Sequence, residues 1–293
     1  RVEFEADQLR NDRLHRGDPE RRSDIEPMLR LGATWQASRH LLGFVEVEAL
    51  LRHREEGGEA TSTRGLLRLN QAYLELDDWI QATEIRLGRW VYRDEREWLF
   101  DQSIDGVLAR SDFGRVEIDA MIGRVNHFRR DLLDSDTRGD PVNLYGLISR
   151  VEVGREFEVG AYAIVSHDTT GPTGQQRNLG LRAHGSLGNW APWAELGIVN
   201  GHRGGRRLKG QAVDIGTVYT REDWPLQPRL IAGYAFGSGD DDPDDGTDRN
   251  FRQTRYHANE ARLGGLYRRG IYGEVLDPEL SNLHIVSAGI GLS

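Results

Sequence analysis

The sequence has 293 residues, a net charge of −9 and no cysteine. The missing cysteine excludes disulfides, thiolate metal sites and cysteine nucleophiles, and the negative charge argues against general nucleic-acid binding. No apolar run approaches the roughly 20 residues that a membrane-spanning helix needs. A barrel strand faces lipid only at every second residue, so the mean hydropathy of −0.60 remains compatible with a membrane β-barrel.

Apolar residues recur at every second position along most of the chain, the spacing that places alternate side chains on opposite faces of a sheet. Early in the chain, for example, Leu29 and Leu31 flank Arg30. Fourteen strands are predicted, near residues 2–10, 25–35, 42–51, 66–77, 82–89, 104–111, 115–125, 142–152, 157–166, 178–187, 192–200, 211–220, 229–237 and 283–292.

The predicted connections alternate between short and long. The short ones are residues 36–41, 78–81, 112–114, 153–156, 188–191 and 221–228. The long ones are residues 11–24, 52–65, 90–103, 126–141, 167–177, 201–210 and 238–282. Such alternation is typical of an up-and-down barrel in a bacterial outer membrane, with tight periplasmic turns and longer external loops. The sequence therefore predicts an all-β, antiparallel transmembrane β-barrel in the outer membrane.

One face of the predicted strands carries charges of both signs. Because a charged side chain that faces lipid near the midplane costs roughly 2–4 kcal/mol, we expect this face to line the lumen. Arginines would favour anions in a pore, and facing carboxylates would keep the hold weak enough for transit. The alternative is a plugged lumen in which the charges neutralise one another. The charged set is Arg30, Arg86, Arg124, Arg182, Glu46, Glu48, Glu75, Glu84, Glu117, Asp119, Glu158, Glu195 and Asp214.

Residues 86–98 hold the densest cluster of arginines and aromatic residues. A guanidinium can bind the carboxylate of an acidic sugar while an aromatic ring packs against the sugar face. The alternative is a self-satisfied network of salt bridges, since three carboxylates lie in the same segment. The cluster contains Arg86, Arg89, Arg93 and Arg96, the rings of Trp90, Tyr92 and Trp98, and the carboxylates of Asp94, Glu95 and Glu97.

Other signals are weaker. The aspartates of residues 240–248 do not form an EF-hand, because Asp245 stands where its glycine should fall, so a solvated loop is favoured. The motifs of serine hydrolases, zinc proteases and P-loop proteins are absent from the sequence, and we predict no catalytic residue, metal or cofactor. Aromatic residues near strand ends fit interfacial girdles: Trp35, Trp79, Trp190, Trp193, Tyr219 and Trp224.

An ordered succession of segments resembles the alginate export family of outer-membrane proteins. The first is Gly88–Asp101, with its glycine–arginine start and the run Arg-Asp-Glu-Arg-Glu-Trp. Gly233–Gly239 follows, and then Phe251–Thr254, Gly273–Glu274 and Glu279–Leu283. The resemblance covers about residues 70–290.

The resemblance implies a monomeric barrel of about 18 strands with an arginine-rich constriction that passes alginate, a polyuronate, outward. It implies that residues 238–282 form an external loop that partly folds into the lumen. The family continues for about four strands after the segment ending at Leu283, so residues 1–293 are expected to be one barrel domain without its C-terminal strands. The predicted substrate-binding residues are Arg30, Arg86, Arg89, Arg93, Arg96, Arg124, Arg182, Arg252, Arg262 and Arg268.

The sequence is compatible with three functions. The first is export of an anionic exopolysaccharide such as alginate, with outer-membrane lipid, the polysaccharide and periplasmic export machinery as partners. The second is a general or uptake porin for small acidic solutes such as uronate oligosaccharides. The third is an outer-membrane hydrolase with its site in the external loops, which would need a nucleophile beside a base.

Overall fold

The computed structural model describes residues 2–10, 21–56, 59–126, 128, 131–134, 139–168, 174–262, 268–273 and 278–292. Within these ranges, side chains are described outside residues 2–24, 54–61 and 262–269. The strands are β1 Val2–Arg10, β2 Arg21–Ser38, β3 Leu41–Glu56, β4 Glu59–Ile80, β5 Thr83–Arg93, β6 Asp101–Asp112, β7 Val116–Val125, β8 Val142–Glu152, β9 Phe157–Asp168, β10 Gly174–Gly185, β11 Trp190–Arg203, β12 Arg206–Thr220, β13 Arg229–Gly237, β14 Thr247–Asp248, β15 Glu260–Arg262, β16 Arg268–Gly270 and β17 Leu283–Gly291.

Fourteen of these strands form one antiparallel path in chain order, from β1 through β13 to β17. Each strand inside this path pairs with the strand before it and the strand after it, as in an up-and-down barrel, so the predicted all-β antiparallel architecture is confirmed. In the segment between β13 and β17, β14 adds parallel to β12, and β15 and β16 form a two-stranded hairpin. No helix in the described parts of the chain is long and apolar enough to cross a membrane.

Two connections predicted to be long are much shorter, because the strands on either side of them extend further. β3 ends at Glu56 and β4 begins at Glu59. β11 ends one residue before Gly204, and β12 begins one residue after Gly205. Both glycines have positive φ, 56° and 82°, as a two-residue hairpin turn of type I′ requires. The prediction of long loops at residues 52–65 and 201–210 is therefore wrong. Their polar residues continue the ladder beyond the hydrocarbon, where a strand needs no apolar side.

The sheet has an apolar outer face and a charged inner face. Leu31 and Leu181 are 63% and 57% exposed, as expected of side chains that meet lipid rather than protein. Arg30 and Arg182 are their neighbours in sequence, so they lie on the opposite face, where Arg182 is buried.

Exposed tryptophans gather at the end of the sheet with the short turns. Trp35, Trp79, Trp190 and Trp224 are each at least half exposed there, as in the predicted girdle. For Trp193 that prediction is wrong. Its indole N–H donates to the inner-face Asp214 at 2.8 Å, because Trp193 shares the inward parity of Glu195.

The β5–β6 hairpin separates from β4 near a row of glycines. β4 pairs with β5 only from Ala72 to Ile80, although β4 itself extends back to Glu59. Gly88 in β5 pairs with Gly106 in β6, which in turn pairs with Gly123 in β7. A Cβ at residue 106 would lie 2.1 Å from the carbonyl oxygen of Ile122, closer than real Cβ contacts come, so only glycine allows this approach.

Before Ala72, the edge of β4 that faces β5 has no strand partner in the described part of the chain. Residues of the connection between β7 and β8 make hydrogen bonds to part of this edge. The Leu132 N–H donates to the carbonyl oxygen of Leu67 at 2.7 Å, and the Asp131 carboxylate accepts from the Leu67 N–H at 3.1 Å. These bonds satisfy the N–H and C=O groups of Leu67, which β5 does not reach.

We expect the Gly106→Ala variant to unfold at a lower urea concentration than the wild type. The added methyl meets backbone in β7, which cannot move aside as a flexible side chain would, so a loss of about 1–3 kcal/mol is predicted. Gly65→Ala is the matched control, since a Cβ there meets only the end of the Leu51 side chain at 3.7 Å. Equal unfolding midpoints for the two variants in detergent micelles would contradict the close approach.

Candidate functional site

The β5–β6 connection, residues 94–100, crosses the barrel interior. Arg96 makes a 2.7 Å ion pair with Asp214 in β12, and Asp94 makes a 2.8 Å ion pair with Arg182 in β10. β10 and β12 lie several strands away in sheet order, so the connection reaches them through the lumen. We call residues 94–100 the inner loop.

Arg182 anchors the inner loop to the far wall. Its guanidinium is buried and contacts the carboxylates of Glu195 at 2.6 Å, Asp94 at 2.8 Å and Glu95 at 3.3 Å. A buried charge is tolerated only when paired and hydrogen-bonded, and here carboxylates from the wall and from the loop share that role. The contacts hold the two elements together.

A second anchor is built on Asp214. Its carboxylate accepts hydrogen bonds from Trp193 at 2.8 Å and from the Tyr272 hydroxyl at 3.0 Å, in addition to the ion pair with Arg96. Burial raises the pKa of Tyr272 well above its ordinary value, so the hydroxyl stays protonated and remains a donor. The guanidinium of Arg96 also lies 4.8 Å from the ring centroid of Trp193.

The segment between β14 and β15 interlocks with the inner loop. The Phe251 ring stacks on Trp98 with centroids 5.7 Å apart, and the Gln253 amide donates to the Trp98 carbonyl oxygen at 2.9 Å. The N–H groups of Ala258 and Asn259 both donate to the Glu97 carbonyl oxygen at 3.0 Å.

Buried side chains from these segments and from the inner wall pack into one hydrophobic cluster, so this part of the interior is dry. Its largest fully buried members are Trp90, Trp98, Phe100, Phe251, Leu99, Ile104, Leu108, Leu144, Ile148, Ile164 and Leu280.

The opposite side of the β5–β6 hairpin borders a polar cavity of about 610 Å³ against β2, β3 and β4. We call it the lumen cavity. Its charged lining has one more arginine than carboxylates, and amide side chains separate the charges. The charged residues are Arg30, Arg68, Arg89, Arg93, Glu46, Glu48 and Asp101, and the amides are Asn70, Gln71, Gln102 and Asn126.

Strand register sets opposite charges directly across from one another on the inner face. Glu48 is the strand partner of both Arg30 and Arg68, and it makes ion pairs with them at 2.9 and 3.4 Å. Adjacent strands repeat the arrangement around the wall. Further cross-strand pairs are Glu75 with Arg86, Glu84 with Arg110, Arg89 with Asp105, Arg110 with Asp119, Glu117 with Arg150, and Arg182 with Glu195.

The structure separates the predicted substrate-binding arginines into groups. Arg30, Arg89 and Arg93 line the lumen cavity, whereas Arg96 and Arg182 are buried in the anchors of the inner loop. The others have their own partners or lie outside the described side chains. Arg86 pairs with Glu75 and Glu84, Arg124 donates to Asn143 at 2.8 Å, Arg252 pairs with Asp248 at 2.7 Å, and the side chains of Arg262 and Arg268 lie outside the described part.

The rings of residues 86–98 do not present faces to a sugar in this structure. Trp90, Tyr92 and Trp98 are all at most 3% exposed, and each packs edge-on or stacked against another ring. The arginines of this segment instead form salt bridges with neighbouring carboxylates, which was the alternative interpretation of the sequence. Arg89 contacts Asp105 at 2.8 Å, and Arg93 contacts Asp101 at 2.7 Å.

Arg68 lines the lumen cavity, but alternation along β4 does not predict it. Glu75 and Arg68 differ in parity, and the register shifts at a β-bulge near Asn70, where Glu46 pairs with Gln71 and Val47 with Leu69. A bulge inserts one residue and so exchanges the two faces of the strand beyond it. A polar pair such as Asn70–Gln71 inside a strand was the available signal.

An antiparallel barrel wall with an apolar outside, charged inside and inward-folded loop defines a porin-like outer-membrane channel. The family model described as alginate export matches residues 1–293. The chain belongs to the alginate export family, which makes it a channel rather than a hydrolase. The comparison with curated proteins gives no match.

Solved structures agree with this fold. OccK7 (OpdD) of Pseudomonas aeruginosa is similar with a TM-score of 0.54 and 12% identity over 93% of this chain and 72% of that one. OpdQ of Pseudomonas aeruginosa is similar with a TM-score of 0.51 and 13% identity over 93% of this chain and 71% of that one. At such identities the likeness concerns the fold alone.

We expect Arg182→Met to release the inner loop. Removing the cation leaves the buried carboxylates of Asp94 and Glu195 uncompensated, a loss of about 3–5 kcal/mol. Trypsin should then cleave after Arg96, buried in the wild type, at least tenfold faster. Arg221→Met, which removes an exposed pair in a short turn, is the control, and equal cleavage rates in both variants would show that Arg182 does not hold the loop.

Proposed function

We propose that the channel exports an anionic polysaccharide, such as an alginate-like polyuronate, through the lumen cavity. The observation that carries the proposal is the lining of that cavity: four arginines, three carboxylates and four amides beside the dry inner core. Arginine keeps its charge at any physiological pH and can grip a carboxylate through two hydrogen bonds. Family membership supports the same cargo class.

Paired arginines suit transport better than isolated ones would. Glu48 holds Arg30 and Arg68, and Asp101 holds Arg93, so an arriving uronate carboxylate competes with a carboxylate already present. That competition weakens binding at each step, and a polymer must be bound weakly enough to move on. The amide side chains between the charges can donate to sugar hydroxyls and ring oxygens.

A second candidate is a porin for small acidic solutes such as uronate oligosaccharides. The size of the cavity favours it, since about 610 Å³ lies within the roughly 300–1,000 Å³ of sites for small organic ligands. Polymer export requires that the same cavity hold a short stretch of the polysaccharide at a time. The inner loop narrows the passage in either case.

The remaining expected partners follow from the position of the surfaces. The apolar outer face would contact outer-membrane lipid, and the short-turn end would face any periplasmic export machinery. The family resemblance implies a monomer, and we retain that as part of the proposal.

We expect the wild-type channel in a planar bilayer to prefer anions, and the double variant Arg68→Gln, Arg93→Gln to lose that preference. The two side chains are 41% and 50% exposed, so their removal leaves Glu48 and Asp101 facing the passage. Block of the conductance by polyuronate chains should weaken at least fivefold. Arg221→Gln, in a short turn away from the cavity, should behave as the wild type.

Cation preference in the wild type, or an unchanged double variant, would contradict the proposed route. The two candidate functions separate by chain length. If block strengthens as polyuronate chains lengthen beyond a few sugars, polymer transport is supported. If a monomeric uronate blocks as strongly as the longer chains, the small-solute porin is supported instead.

A further inference from the structure

Three metal-ligand side chains converge where the inner loop meets the barrel wall. Glu95 comes from the inner loop, Glu158 from β9 and His184 from β10, and one ligand atom of each lies within 4.8 Å of the others. His184 Nε2 is 3.7 Å from Glu95 Oε2 and 4.0 Å from Glu158 Oε2. We propose that these three residues bind a divalent transition-metal ion that joins the inner loop to the wall.

The spacing fits such an ion with small side-chain movements. Ligand atoms at about 2.1 Å from a tetrahedral metal lie about 3.4 Å from one another. The observed separations from the histidine nitrogen exceed this value only slightly. Glu95 and Glu158 are partly exposed, so their side chains can rotate towards a common centre and an ion can enter from the solvent.

The backbone positions of two of the three ligands are set before any ion arrives. Glu158 and His184 are direct partners in the β9–β10 ladder, so their relative position is fixed by the sheet. Glu95 is positioned by its neighbour Asp94, which is locked to Arg182 by a buried 2.8 Å ion pair. The site therefore uses the same anchor that holds the inner loop.

The local charge balance also favours a cation. The single guanidinium of Arg182 is shared by the carboxylates of Asp94, Glu95 and Glu195, and Glu158 adds a fourth acid beside them. The next guanidinium, Arg96, is paired with Asp214. The carboxylates thus outnumber the cations that face them, and a divalent ion would reduce the excess negative charge.

The donor set selects the kind of metal. One imidazole nitrogen with two carboxylate oxygens suits Zn²⁺ and similar first-row ions, whereas Ca²⁺ and Mg²⁺ prefer oxygen ligands alone. Three protein ligands leave a fourth position for water. The bound ion would tie the inner loop to the wall at the short-turn end of the channel, whichever cargo passes.

Titration calorimetry of the untagged protein in detergent micelles, with Zn²⁺ as the probe, tests the site. We expect one Zn²⁺ to bind per chain, and Glu158→Gln and His184→Asn each to weaken its binding at least tenfold. His202→Asn, at the opposite end of the β10–β11 ladder, is the matched control and should leave that binding unchanged. Because the sequence has no cysteine, thiolates cannot contribute to the signal.

Three results would overturn the proposal: no Zn²⁺ binding to the wild type, wild-type affinity in both ligand variants, or loss of binding in His202→Asn. Binding of Mg²⁺ as tight as that of Zn²⁺ would also overturn it, since that would indicate a site of oxygen atoms. Heat-modifiable migration in electrophoresis checks that each variant is folded. None of these outcomes depends on the transported cargo, so failure here leaves the proposed export function untouched.

Discussion

The buried contact between Arg182 and the carboxylates of Asp94 and Glu195 ties together two elements that the chain alone would leave apart. A guanidinium removed from water needs partners of opposite charge, and two of its three carboxylate partners, Asp94 and Glu95, lie on the inner loop. The loop consequently crosses the lumen instead of extending outward as the β3–β4 and β11–β12 hairpins do. The rest of the interior follows from this crossing.

On one side of the crossing, aromatic rings seal the space between the loop and the strands β9 to β12. On the other side, the same hairpin forms one wall of the polar lumen cavity. A single structural element thus separates an interior region packed with apolar side chains from a cavity lined by polar ones. Trp98 is buried on the first side, while Arg89 and Arg93 line the cavity on the other.

The ladder of opposite charges on the inner face has a further consequence. Because Glu48 lies between Arg30 and Arg68, each of the two guanidinium groups that border the cavity has a carboxylate partner. A wall of isolated arginines would hold a polyanion tightly, whereas paired arginines offer many weak and similar positions. The net charge of −9 is therefore compatible with the proposed passage of anions, because a passing chain would meet the balance of charge along the lumen.

Much of the wall could be predicted from sequence, because one apolar and one charged face give each strand a period of two. All fourteen main strands were found in this way, and only the ends of some were misplaced. Which side chains face inward is harder to predict where both faces of a strand are apolar. In β8, Leu144 and Ile148 face the inner core while Tyr145 and Leu147 face outward, so Arg150 at the end of the strand gave no clear signal.

The inner core itself depends on contacts between residues far apart in sequence. Nothing in the local pattern shows that Trp98 stacks on Phe251, or that Arg96 reaches Asp214. The aromatic residues of segment 86–98 look like a sugar-binding surface in the sequence, and only the fold shows that they are buried. Arg68 was missed for a different reason, since the bulge at Asn70 exchanges the faces of β4.

The inner loop spans the lumen and rests against β9 and β10. The chain has no native cysteine, so the pair Glu95→Cys and Glu158→Cys can be treated with a short bifunctional methanethiosulfonate in the folded, membrane-inserted protein. We predict rapid intramolecular cross-linking of this pair, and none when Glu95→Cys is combined with Arg39→Cys in the β2–β3 turn. A cysteine at 95 that fails to cross-link to 158 while reacting freely with reagent added from outside would show that the loop does not cross the channel.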